Sequence, residues 1–188
     1  PDSGFYWLGT GDDQLLAAAH ELAVPHVPAH AHAHPGHICL WIDSERVLSD
    51  TGVFEYAAGV RRLRARSIRG HNTVQVADAE PARMASSFWF VGDIEMNATV
   101  NHNDGSLELS YVVDGLSRPT YEHIRTVAYD GGEWTVRDVV KGCSDVITSR
   151  YHVHPSFNVD TTDQGVTMTN AGGDSVASIK PFGHDELD

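Results

Sequence analysis

The chain alternates short apolar runs with explicit turn sequences at intervals near ten residues, and that rhythm limits it to sheet architectures. The runs occupy 38–42, 46–48, 73–76, 88–91, 96–100, 107–113, 124–129, 134–140, 146–154 and 166–169. Between them lie Asp43-Ser44-Glu45, Asn101-His102-Asn103-Asp104-Gly105, Asp114-Gly115, Asp130-Gly131-Gly132, Lys141-Gly142, Asp163-Gln164-Gly165 and Gly172-Gly173-Asp174. Runs of strand length bounded by Gly and Asx turns predict hairpins. Many of them in series predict an all-β, antiparallel β-sandwich with few or no helices.

One segment reads two ways. Residues 12–22 open on Asp12-Asp13 and continue through Leu15-Leu16-Ala17-Ala18-Ala19, which suits a capped helix. The same residues suit another strand over 14–19. With 188 residues, no internal repeat and no linker-like tract, residues 1–188 read as one domain. Hydrophobic residues at 41% are too many for a disordered acidic chain. A formal charge of -13 opposes extended contact with phosphate backbones, so nucleic acid is not an expected partner. No apolar run approaches the ~20 residues that a bilayer span requires, so no membrane partner is expected either.

Residues 25–37 concentrate the chemistry. Five of the twelve histidines fall there: His26, His30, His32, His34 and His37. In an extended segment positions i, i+2 and i+4 share a face, which projects His30, His32 and His34 together. Neutral imidazoles so grouped suit zinc or another borderline divalent metal, completed by carboxylates or a distant His. A solvated His-rich loop is the plainer alternative. Cys39 and Cys143 form no CxxC pattern, so a cysteine-based metal site is not expected. Six of the eleven arginines lie between Arg46 and Arg69, and a guanidinium fork suits carboxylate or sulfate. Arg66 and Arg69, just before His71, are the candidates for such contacts.

His30-x-His32, a strand, Asp50-x-Gly52 with Tyr56 downstream, and then His71-Asn72-Thr73-Val74-x-Val76 together resemble the heparinase II/III-like polysaccharide lyases. The opening Pro1-Asp2-Ser3-Gly4-Phe5-Tyr6 looks like the start of that family's C-terminal sandwich domain. The resemblance covers residues 1–80 by motif and the later strands by pattern. It implies a super-sandwich fold and β-elimination on a uronate-containing anionic polysaccharide, a glycosaminoglycan or alginate. It implies that His32, Asp50 and His71 bind a structural metal, usually zinc. It also implies that His30 faces the substrate cleft as a catalytic residue, with Tyr56 and Asn72 on the substrate side. In such lyases a catalytic Tyr, a further His and an Asn come from a large N-terminal α/α toroid. Nothing in 1–188 resembles that toroid, so the resemblance implies the C-terminal part of a longer enzyme, periplasmic, secreted or cytosolic.

One departure stands out. The family follows His-x-His with Ala-Asp, whereas this chain has Ala33-His34. The added imidazole either joins the metal or takes the place of a carboxylate acceptor. Two other functional classes remain at this level. One is a non-catalytic, metal-stabilised carbohydrate-binding or structural module. The other is a cupin-type metal enzyme, whose Glu following the His pair has no counterpart here.

Overall fold

A computed structural model describes residues 3–20, 28–91, 96–101, 105–113 and 120–182. His26, the tips of the turns at 102–104 and 114–115, and the terminal residues 1–2 and 183–188 lie outside the described residues. In chain order the strands begin with β1 (Phe5–Thr10), β2 (Asp13–Ala18), β3 (Ile38–Ile42) and β4 (Glu45–Leu48). The helix α1 (Val60–Arg66) follows, then β5 (Val74–Val76), β6 (Arg83–Ser86), β7 (Trp89–Val91) and β8 (Met96–Asn101). Next come β9 (Ser106–Val113), β10 (Tyr121–Asp130), β11 (Glu133–Lys141) and β12 (Ile147–Ser149). The last three are β13 (Asn158–Thr162), β14 (Gly165–Thr169) and β15 (Ser175–Ile179).

Two four-stranded antiparallel sheets, β1-β2-β3-β4 and β11-β10-β9-β8, form the sandwich. Leu15, Ala17, Ile38, Leu40 and Leu48 of the first sheet pack against Leu107, Leu109 and Val127 of the second. The expected all-β sandwich is the fold. Within segment 12–22, whose last two residues lie outside the described ones, Asp13–Ala18 forms strand β2, paired with β1 on one side and β3 on the other. Ladder pairing on both edges and full burial of Leu15 and Ala17 override the helix propensity of its alanines. Asp12 and Asp13 do not cap a helix. They accept hydrogen bonds from the β3–β4 turn, through Ser44 Oγ and the Asp43 amide (2.9 Å) respectively. That turn places Asp43 at φ 50° and Ser44 at φ 63°, the two positive angles of a type I′ hairpin that follows the natural strand twist.

Strand β9 links the core to the site. Its inward residues alternate as Leu107, Leu109, Tyr111 and Val113. The first two face the sandwich core, and the last two enter a second cluster with Ala31, Ala33, Val74, Val76, Phe90 and Tyr121. On β10, buried Arg125 meets Asp138 of β11 through two hydrogen bonds, Nε to Oδ1 (2.7 Å) and Nη2 to Oδ2 (2.9 Å). Its Nη1 donates to the carbonyls of Gly36 and Asn72, both at 2.8 Å. One buried cation thus ties the second sheet to both the histidine loop and the His71 segment. Among the described residues no helix is long and apolar enough to cross a membrane. Cys39 and Cys143 are free thiols, each half-buried.

Candidate metal centre

The histidine loop follows from its alanines. Ala31 and Ala33 are buried in the second cluster, while the rings of His32 and His34 pack on His71. His30, at the end of a 3-10 turn, does not share their face as the spacing suggested. Backbone hydrogen bonds fix the path: Arg66 Nε donates to the Ala31 carbonyl (2.8 Å), and the Ala33 amide donates to the Arg66 carbonyl (2.8 Å). Further along, Thr73 Oγ1 donates to the Pro35 carbonyl (2.6 Å) and Arg125 holds Gly36. Gly36 sits at φ +67°, which lets the loop turn into β3.

His71 is the hub. It is 1% exposed, and its Nδ1 lies 2.6 Å from Asp50 Oδ2. The rings of His32, His34 and His37 surround it, with centroids at 5.2, 5.2 and 5.5 Å. His37, Asp50 and His71 each bring one donor atom within 4.8 Å of the others. Asp50 is oriented by the Gly52 amide, which donates to its Oδ1, and by His37 Nε2 at 3.3 Å from Oδ2. Asn72, fully buried, organises the surroundings: its Nδ2 donates to the carbonyls of Ile38 (2.8 Å) and Ser49 (3.1 Å), and its Oδ1 accepts the His152 amide.

Protonation follows from burial. Desolvation, with repulsion from His71, lowers His32 to about 4. Desolvation lowers His37 to about 3, against the opposing pull of Asp50. Burial, then repulsion from His71 and His20, also pushes His34 well below the usual imidazole range. Burial alone would raise the Asp50 carboxyl. The His71 hydrogen bond and the neighbouring imidazole charge outweigh that and hold it below the usual carboxylate range. Near neutrality His32, His34 and His37 are therefore uncharged imidazoles beside the Asp50 carboxylate, donor types that suit a borderline divalent ion.

The tautomers separate the imidazoles. His71 Nδ1 donates to Asp50, and its buried Nε2 has no hydrogen-bond partner among the described residues. On a neutral ring whose Nδ1 is oriented by a carboxylate, such a nitrogen offers the lone pair that a metal ligand needs. His37 differs. Its Nδ1 accepts the Asn72 amide (2.9 Å), so its proton sits on Nε2 and points to Asp50. Geometry gathers His37 with the other two donors, while its tautomer makes it a brace for the carboxylate.

A family model described as heparinase II/III-like, C-terminal, matches residues 1–187. The chain belongs to that family. A solved structure of heparinase III (the BT4657 gene product, with methylated lysines) shares the fold, at a TM-score of 0.67 and 17% sequence identity. The likeness covers 92% of this chain and 26% of that one, so the chain spans about a quarter of the heparinase III length. Comparison with curated proteins gives no match.

Within this heparinase II/III-like domain the motif residues take distinct places. Asp50 and His71 are in direct contact, with His32 beside His71. His30 ends a 3-10 turn, Pro28–His30, and is exposed. Tyr56 is 69% exposed, with the Arg62 guanidinium 5.1 Å from its ring centroid. Arg69 is half exposed and pairs with Asp78 at 2.8 Å. Two expected substrate contacts turn out to be internal. Arg66 is 1% exposed, donates to the Ala31 and Ser87 carbonyls, and lies over Phe90 at 4.7 Å. Asn72 has its side-chain amide taken up by three backbone groups. Neither presents a free donor to a ligand in solvent.

Sequence reasoning did not single out His37 as a partner of Asp50, nor His20 as a neighbour of His34. His37 stands five residues after His32, off the two-residue alternation, and only the turn at Gly36 brings it back. His20 precedes the cluster by fourteen residues from His34, and β-pairing alone delivers it. No local spacing announces either.

Proposed function

We propose that this domain is the metal-bearing sandwich of a polysaccharide lyase that cleaves uronate-containing anionic glycans by β-elimination. The observation that carries the reading is the contact of buried His71 with half-buried Asp50, the His71 Nε2 having no partner among the described residues, beside the neutral imidazoles of His32, His34 and His37 at the base of the loop that presents His30. His32, Asp50 and His71 are the proposed ligands of a divalent ion, zinc in the first instance. When bound, that ion supplies rigidity to the histidine loop.

β-Elimination removes the proton α to the uronate carboxylate and breaks the C–O bond at the β carbon. The proton becomes acidic enough only when the carboxylate charge is balanced. Exposed His30 is the proposed group for that task, either hydrogen-bonding to the carboxylate or carrying the proton. Arg69 and Tyr56 are the proposed outer contacts, the first for anionic groups and the second for a sugar face. The remaining acid–base groups are assigned to an α/α domain acting with this one.

The test joins elemental analysis to an elimination assay on the protein combined with such a domain. Stoichiometric metal that His32→Ala and His71→Ala lose, with unsaturated uronate absorbance that His30→Ala loses, supports the proposal. Equal metal content in all forms removes the metal assignment. A second reading, a metal-stabilised module without elimination, draws on the internal commitment of Arg66 and Asn72. It predicts glycan binding and metal-dependent stability with no unsaturated product.

A further inference from the structure

His34 and His20 meet outside the His71–Asp50 pair. His34 Nδ1 lies 2.7 Å from the His32 carbonyl, which can only accept, so Nδ1 carries the His34 proton. The Nε2 lone pair of His34 then accepts a hydrogen bond from His20 Nε2, 3.1 Å away, and an ion between the two nitrogens would replace that shared proton, with His20 in its other tautomer. The separation suits two nitrogens on one tetrahedral ion, since zinc–nitrogen bonds of about 2.0–2.1 Å set ligand nitrogens roughly 3.3 Å apart. His20 is held in this position from β1. Gly4, at φ +66°, packs so closely that an added Cβ would lie 2.4 Å from His20 Cβ, and the Phe5 ring packs on the imidazole at 4.9 Å.

We propose that His20 and His34 hold a second divalent cation beside the His71–Asp50 centre, with water completing its coordination. The chemistry is that of a borderline metal taken by neutral imidazoles: zinc, copper(II) or nickel(II). The second ion binds more weakly than the first, because both of its protein ligands are imidazoles, whereas the first also has the Asp50 carboxylate. This rests on the metal reading of His71 and Asp50 only for its neighbour, and the two are separable by stoichiometry.

The experiment is zinc titration of metal-stripped protein by calorimetry, with elemental analysis after equilibrium dialysis. It compares wild type, His20→Phe, His34→Asn and His71→Ala. Phenylalanine at 20 keeps a ring against Phe5. Asparagine at 34 keeps a donor to the His32 carbonyl and removes Nε2. Melting of each stripped variant within a few degrees of the stripped wild type controls for folding. The expected result is two equivalents in wild type and one in each of His20→Phe and His34→Asn, with the tighter equivalent retained. Two equivalents in both of those variants overturns the proposal, as does a single equivalent in wild type that His20→Phe leaves in place. A single wild-type equivalent lost in both His20→Phe and His71→Ala also overturns it, since it means one shared ion. Loss of one equivalent in His20→Phe with none lost in His71→Ala upholds the second cation and removes the first assignment.

Discussion

Arg62 and Arg66 stand one helical turn apart on α1 and donate to the carbonyls of Ala29 and Ala31, the two residues that flank His30. The guanidinium groups are held in turn by the Ser87 carbonyl and by aromatic faces, Phe88 at 4.6 Å from Arg62 and Phe90 at 4.7 Å from Arg66. The arginine run that suggested an anion site is, at these two positions, a clamp on the backbone of the catalytic candidate.

Replacing Arg66 with Met keeps most of the stem packing and strands the buried Ala31 carbonyl, which costs about 1–3 kcal/mol. The expected outcome is a lower melting temperature and, in the elimination assay, a fall in kcat larger than any rise in KM. A variant that changes KM alone would return Arg66 to the substrate side.

The tautomer assignment predicts different consequences for the imidazoles around His71. His32→Ala removes a proposed ligand and abolishes stoichiometric metal binding at that centre. His37→Gln, which removes only the brace on Asp50, weakens metal affinity about ten- to a hundredfold. Competition with a chelator of known affinity measures both. If His37→Gln is the more damaging change, His37 and not His32 is the ligand.

Metal-free protein loses stability as pH falls below about 6.5. Unfolded, the histidines titrate near 6.5; folded, His32 stays neutral to about 4 and His37 to about 3. Between those values the unfolded chain binds more protons, so acid favours unfolding, and above 6.5 this contribution is constant. The lowered carboxyls of Asp50 and Asp138 add stability above the ordinary carboxylate range that is also lost at lower pH. Melting curves of stripped protein from pH 7.5 to 4.5 check this. A flat or rising melting temperature through that interval contradicts it.

Asp138→Asn leaves the Arg125 guanidinium, 1% exposed, without its carboxylate. Breaking a buried pair in this way costs about 3–5 kcal/mol, which for a chain of this size lowers the melting temperature by about 10 °C. Because Arg125 also holds Gly36 and Asn72, metal affinity falls in the same variant, although Asp138 touches no proposed ligand. Unchanged affinity would show that the loop holds its shape without Arg125.

Most strands were legible because side-chain alternation and Gly or Asx turns are local signals, as in 107–113 and at Gly131-Gly132, whereas β1, β6, β13 and β15 were not singled out and the run 146–154 shortened to β12. The Asp50–His71 contact was legible only through the family resemblance, since 21 residues separate the two. Residues 12–22 stayed ambiguous because alanine suits a buried sheet as well as a helix, and only pairing with β1 and β3 decides. Arg66 and Asn72 misled for one reason: a polar side chain reads the same whether it meets a ligand or a stray carbonyl. Burial is not written in a motif.

The His-Ala alternation acts as a gauge of size. Ala31 and Ala33 fill their share of a close-packed cluster, with 4% and 0% exposure, so a single added methyl or methylene at either must lift the strip of chain that carries the imidazoles. The positions least able to vary are then the two that do no chemistry. A library randomised across 29–37 should return alanine at 31 and 33 before it returns histidine between them.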